Sequence, residues 1–200
     1  MNKKFQNIKG FTLLETLIAI AIMTVAVGSA FTMAQKSLMT SYQSKNQIAA
    51  YFLAAEGLEL VRNIRDSVAF YNNKNPTSSQ IGWIKPLESA CVPSHLTSKC
   101  DINPLADFSN PNAISSSIAS CAAPEGCRLH QVSNSGKTIY TSFDSGQPSV
   151  FFRSIYIVCS PTMDCIPDSS GKSEAIVTST VTWNGQTVYL TETINNWHQI

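Results

Sequence analysis

The chain has 200 residues, 44% hydrophobic and 14% charged, with a formal net charge of +1 at pH 7. That length accommodates one domain with a substantial core. The near-neutral balance excludes a broad basic face for nucleic acid and leaves at most a local patch.

The first element predicted is a spanning helix. Lys3, Lys4 and Lys9 precede an apolar run from Phe11 to Gln35, in which Glu15 is the only charge before Lys36. A run of about 25 residues crosses a hydrocarbon layer of about 30 Å. The positive-inside rule keeps the N-terminus in the cytoplasm and exports the rest. Glu15 is the anomaly, because a carboxylate at the centre of a spanning helix costs about 2.5 to 3.5 kcal/mol on insertion scales. A conventional signal peptide cut at Gly28-Ser29-Ala30, releasing an exported soluble domain, is the competing reading. It gives the acid no role.

The stretch Lys9-Gly10-Phe11-Thr12-Leu13-Leu14-Glu15 joins a short basic leader, a glycine, an aromatic residue, an acid at the fifth position after the glycine, and a spanning helix. This combination resembles the prepilin motif of type IV pilins, minor pilins and the pseudopilins of type II secretion. The resemblance is sharp over roughly the first 35 residues and architectural beyond them. It implies that prepilin peptidase cuts between Gly10 and Phe11 and methylates the new amine of Phe11, and that the helix stays on the mature protein. It also implies that, during assembly, Glu15 draws in the Phe11 amine of the previous subunit. The implied partners are other pilin or pseudopilin subunits, the peptidase, the inner-membrane assembly platform, and lipid before assembly. The implied location is the bacterial inner membrane with the head exported, then a surface pilus or a periplasmic pseudopilus.

Physical chemistry supports such a pairing independently. Cleavage frees an α-ammonium whose unperturbed pKa is about 7.7 to 8.0, and methylation keeps its charge. Glu15 lies one turn away, about 6 Å along the axis, so an intrachain i,i+4 pair and an intersubunit pair are both open. In low dielectric, a docked pair is rewarded and a lone carboxylate penalised. The alternative is an acid at headgroup level, held by snorkelling and the helix dipole.

No proline occurs between Met1 and Asn75, so one long helix is predicted. Its second half carries an apolar stripe of Ala50, Leu53, Ala54, Gly57, Leu60, Val61, Ile64 and Val68. Glu59, Arg62 and Asp66 lie opposite, spaced for i,i+3 and i,i+4 pairs. The stripe suits packing on a sheet, with Gly57 allowing close approach; a coiled-coil seam is the competitor. Thr32 stands where many major pilins, in the resemblance, carry a helix-bending proline, which favours a minor pilin or pseudopilin.

Residues 72–126 read as loop, rich in Ser, Asn and Pro. Within it, Trp83 and Ile84 are expected to be buried. Six cysteines, at 91, 100, 121, 127, 159 and 165, all follow the apolar run, which indicates an oxidised head. Of fifteen connectivities, neighbour pairing is expected (Cys91 with Cys100, Cys121 with Cys127, Cys159 with Cys165), because short loops close at least entropic cost. Zinc is disfavoured: His95 and His130 lie near cysteines, but no C-x-x-C occurs.

The last third reads as sheet. Ser135-Gly136 divides two strand-like runs, SVFFRSIYIV continues, and Asn184-Gly185 is predicted as a type I′ turn. That turn sets Val181 opposite Val188, Thr180 opposite Tyr189 and Ser179 opposite Leu190. The expected fold is α+β: one long N-terminal helix on an antiparallel sheet of about three or four strands. The expected division is leader 1–10, filament-core helix half 11–35, amphipathic half 36–70, stapled variable region 71–126 and sheet head 127–200. The Trp183 strand end, the Asn-Gly turn and Asn196-Trp197 are similar to the tails of pilus-modification minor pilins and some minor pseudopilins.

Enzymatic chemistry finds no support. There is no phosphate loop, nucleotide fingerprint or nucleophile with its base, and His95, His130 and His198 sit among polar neighbours. No cofactor is expected. Asp164, Asp168 and Glu174 are calcium candidates whose spacing is not that of an EF-hand, so a solvated acidic turn is favoured. The functional reading is a structural filament subunit. A filament-tip binding module for adhesion, DNA uptake or secretion cargo is the alternative.

Overall fold

The computed structural model describes residues 10–76, 81–92, 99–111, 113–121, 127–144, 146–160 and 174–196. They belong to two compact units, Met1–Lys45 and Asn46–Ile200. One helix, α1 (Leu13–Lys74), contributes to both. It stops where Pro76 approaches, since the residue before a proline is pushed out of helical geometry, and the Asn75 N–H closes the last turn on the Tyr71 carbonyl.

In the second unit, α1 from Asn46 onward lies on an antiparallel sheet, so the fold is α+β. The predicted stripe is the buried one: Ala50, Leu53, Ala54, Gly57, Leu60, Val61, Ile64 and Val68 all face the core. After α1 come a 3-10 turn at Lys85–Leu87 and the short helix α2 (Glu88–Cys91). The strands are β1 (Cys100–Ile102), β2 (Ile118–Ser120), β3 (Cys127–Asn134), β4 (Lys137–Thr141), β5 (Gln147–Ser160), β6 (Glu174–Trp183) and β7 (Gln186–Asn195).

The long strand β5 is the centre. One edge pairs with β6 over ten residues, and β6 with β7; the other edge is shared by β3, which carries β4, and β1, which carries β2. Asn184 and Gly185 both have positive φ, the type I′ geometry expected there, and Ser135 and Gly136, expected only as a turn, share it. Val181 pairs with Val188, Thr180 with Tyr189 and Ser179 with Leu190. Alternation then turns Phe151, Arg153, Ile155, Ile157 and Cys159 of β5, and Ala175, Val177, Ser179, Val181 and Trp183 of β6, toward the core.

Two expectations are corrected here. Among the described residues the sheet has seven strands, not three or four, because β4 adds to β3 and because β1 and β2 arise inside the segment read as loop. Strands of three residues are too short to show a period; they exist through pairing with distant chain. On the helix, Arg62 bonds Glu59 as expected but also crosses to Glu192 on β7, while Asp66 accepts from Arg65 Nε at 2.8 Å. The hydrogen bonds that Arg62 donates to Glu192 and then to Glu59 raise its pKa above its ordinary value. Trp83 and Ile84 are buried, packed in the main core with Leu87 and Ile114.

Candidate assembly site

Gly10 and Phe11 are exposed and lie just before α1. Thr12 is the cap: its Oγ1 accepts from the Glu15 N–H at 3.4 Å, and its carbonyl accepts from the Glu15 and Thr16 N–H groups at 3.0 and 3.2 Å. Thr12-Leu13-Leu14-Glu15 is therefore a capping-box sequence, with Glu15 at the third helical position. The pattern is legible in the sequence, but the processing motif overlies it. In the first turn the Glu15 carboxylate also faces the positive end of the helix dipole. Among the described residues it makes no ion pair.

Around and beyond Glu15 the helix is apolar on every side. Phe11 is 78% exposed, and Leu13, Leu17, Ile20, Met23, Val27, Phe31 and Met33 are exposed with it. No residue in the apolar span is buried. A helix apolar all round needs lipid or other helices as its surroundings. Its hydroxyls are already matched to that need: Thr16, Thr24, Ser29 and Thr32 each donate to the carbonyl three residues back at 2.9 Å. The carboxylate of Glu15 is left as the group that an apolar environment cannot satisfy.

The other candidate residues lie in the head or outside the described residues. Cys91 bonds Cys100, and Cys121 bonds Cys127. Cys159 on β5 is disulfide-bonded, and Cys165 lies outside the described residues. Asp164, Asp168, His95 and His198 also lie outside them. Glu174 is exposed at the start of β6. Among the described residues no three His, Cys, Asp or Glu side chains gather as metal ligands. His130 sits on β3 with its Nδ1 buried and without a hydrogen-bond partner.

A second constellation escaped the sequence reading. Arg153, on the core face of β5, is 0% exposed. Its Nε donates to Asp101 Oδ1 at 2.6 Å, and its Nη1 donates to Glu56 Oε2 at 2.6 Å and to the Leu53 carbonyl. Nη2 donates to the Ile102 carbonyl, and Ser142 Oγ donates to Asp101 Oδ2 at 2.6 Å. Burial pulls the guanidinium pKa down, but the charges and hydrogen bonds of Asp101 and then Glu56 outweigh it, and the net shift is upward. The signal available was parity: in SVFFRSIYIV, Arg153 shares a face with Phe151, Ile155 and Ile157. An inward charge on a core strand demands a buried counter-ion.

The apolar helix, taken with the motif at its start, points to a class: a membrane-anchored protein with an exported head. Residues 5–31 match the family described as the prokaryotic N-terminal methylation motif, so the chain carries the prepilin motif of type IV pilins and pseudopilins. That motif implies processing by prepilin peptidase and assembly with other pilin subunits, and proteins that bear it are structural rather than enzymatic. Comparison with curated proteins and with solved structures returns no match.

Proposed function

We propose that this chain is a minor pilin or pseudopilin, cut between Gly10 and Phe11, methylated on Phe11, and drawn from the inner membrane into a pilus or pseudopilus through α1. The reading is carried by one juxtaposition: among the described residues Glu15 stands without an ion-pair partner in the first turn of a helix whose first span is otherwise apolar all round, one turn from the residue whose amine cleavage would free. Proteolysis thus creates the cation that the acid lacks. When the new ammonium of a neighbouring subunit meets Glu15 away from water, the two charges neutralise and the axial register is set.

The intact mass and first residue of the mature protein test the reading. A chain beginning at methylated Phe11 is expected. A chain beginning at Phe31 would mark an ordinary secreted domain and remove the proposal.

A further inference from the structure

Arg153 sets a condition on folding. A guanidinium stays charged at any pH a cell meets, so β5 can close beneath the helix only if an anion arrives with it. Glu56 is 37% exposed, and the fully buried counter-charge is Asp101. Asp101 is carried by β1, whose register with β5 is the single pair Cys100 with Ile155 and whose other neighbour is the three-residue β2. A two-stranded ladder of that length has little stability of its own. Both of its strands are fastened covalently, at the end where Cys100 pairs with Ser120. Cys100, adjacent to Asp101, is bonded to Cys91 at the end of α2, and the chain leaving β2 reaches Cys121, bonded to Cys127 at the start of β3.

We propose that the Cys91–Cys100 disulfide is a redox latch on the Arg153 ion cluster. Oxidation fixes β1 in place, sets Asp101 against Arg153, and couples closure of the head to arrival in an oxidising compartment. The oxidant is a disulfide-bearing thiol oxidant. The thiolate of one cysteine attacks its S–S bond and expels one thiol, and the second cysteine then displaces the other. The two cysteine thiols lose two protons and two electrons, and the oxidant gains them as two thiols. In the reduced chain β1 keeps only its short ladders and the packing of Ile102 in the core, Arg153 loses its buried counter-ion to water, and the middle of β5 opens. A disulfide that acted only by shortening the unfolded chain would have the same effect whatever residues stood at 101 and 153. The coupling is what distinguishes the latch.

The test is a thermodynamic cycle on the full chain in detergent, followed by urea unfolding. The four forms are the native protein, Cys91→Ser with Cys100→Ser, Arg153→Met with Asp101→Leu, and all four substitutions together. Loss of the disulfide is expected to lower the folding constant at least tenfold more in the native background than in the uncharged one. Equal losses in both overturn the proposal. If the uncharged form does not fold, Ser142→Ala serves instead, since it keeps every charge and every cysteine but strips one hydrogen bond from Asp101. By reciprocity, the equilibrium constant for forming Cys91–Cys100 in a glutathione buffer, read by mass spectrometry, should then fall severalfold. An unchanged constant overturns the latch.

Discussion

Glu15 and Arg153 are both charges placed where charge is costly, and they are handled in opposite ways. Arg153 is neutralised within its own chain, whereas the Glu15 carboxylate has no ion-pair partner among the described residues. Replacing Glu15 by Gln keeps its size and the Thr12 cap on its backbone N–H but removes the charge. Glu15→Gln and Glu15→Ala should still be inserted and processed, yet be depleted in sheared filaments relative to the membrane fraction. Normal incorporation of both would show that the acid is not the docking group. For Arg153 the outcome falls on stability. Asp101→Asn removes the buried counter-charge and should cost about 3 to 5 kcal/mol in urea unfolding, the range for breaking a buried pair from one side.

Among the elements, α1 and β6 approach each other closely at Gly57 and Ser179. A Cβ on Gly57 would lie 2.4 Å from Ser179 Oγ, closer than side chains tolerate, and 3.2 Å from Ser179 Cβ, a tight contact. Gly57→Ala should therefore destabilise the head by about 1 to 3 kcal/mol, the usual cost of overpacking. The Ser179 hydroxyl is buried and has no hydrogen-bond partner, so Ser179→Ala alone should be neutral or stabilising. The double substitution should recover part of the Gly57→Ala loss in thermal unfolding. Additive effects would mean that the helix is held off the sheet by something other than this pair. Gly57 was readable as a point of close approach because it interrupts an apolar stripe; its partner Ser179 was not, since nothing local ties position 57 to position 179.

At the scale of the whole molecule, the two units differ in what they need. The apolar span has no buried residue, whereas the unit from Asn46 onward has its own core built on Ala50, Leu53, Val61, Ile64, Ile155, Val177 and Val181. Residues 46–200 expressed without the apolar helix, and exported so that their disulfides form, should keep a cooperative thermal transition within a few degrees of the full chain. Loss of that transition would show that the core depends on the first unit.

What the sequence determined by itself is what short-range rules govern. Freedom from proline sets the length of α1, a three-and-four-residue period selects its buried face, and Asn184-Gly185 sets the register of β6 on β7 through the handedness of its turn. The Lys9 to Glu15 motif is likewise a matter of spacing within a few residues. Tertiary structure alone decided the seven-strand sheet and the Arg153 cluster, whose partners lie 52 and 97 residues away at Asp101 and Glu56. Helical and strand periodicities reach only a few residues along the chain, so they identify which face of an element is buried. Which distant charge or strand completes that face follows from how the elements pack.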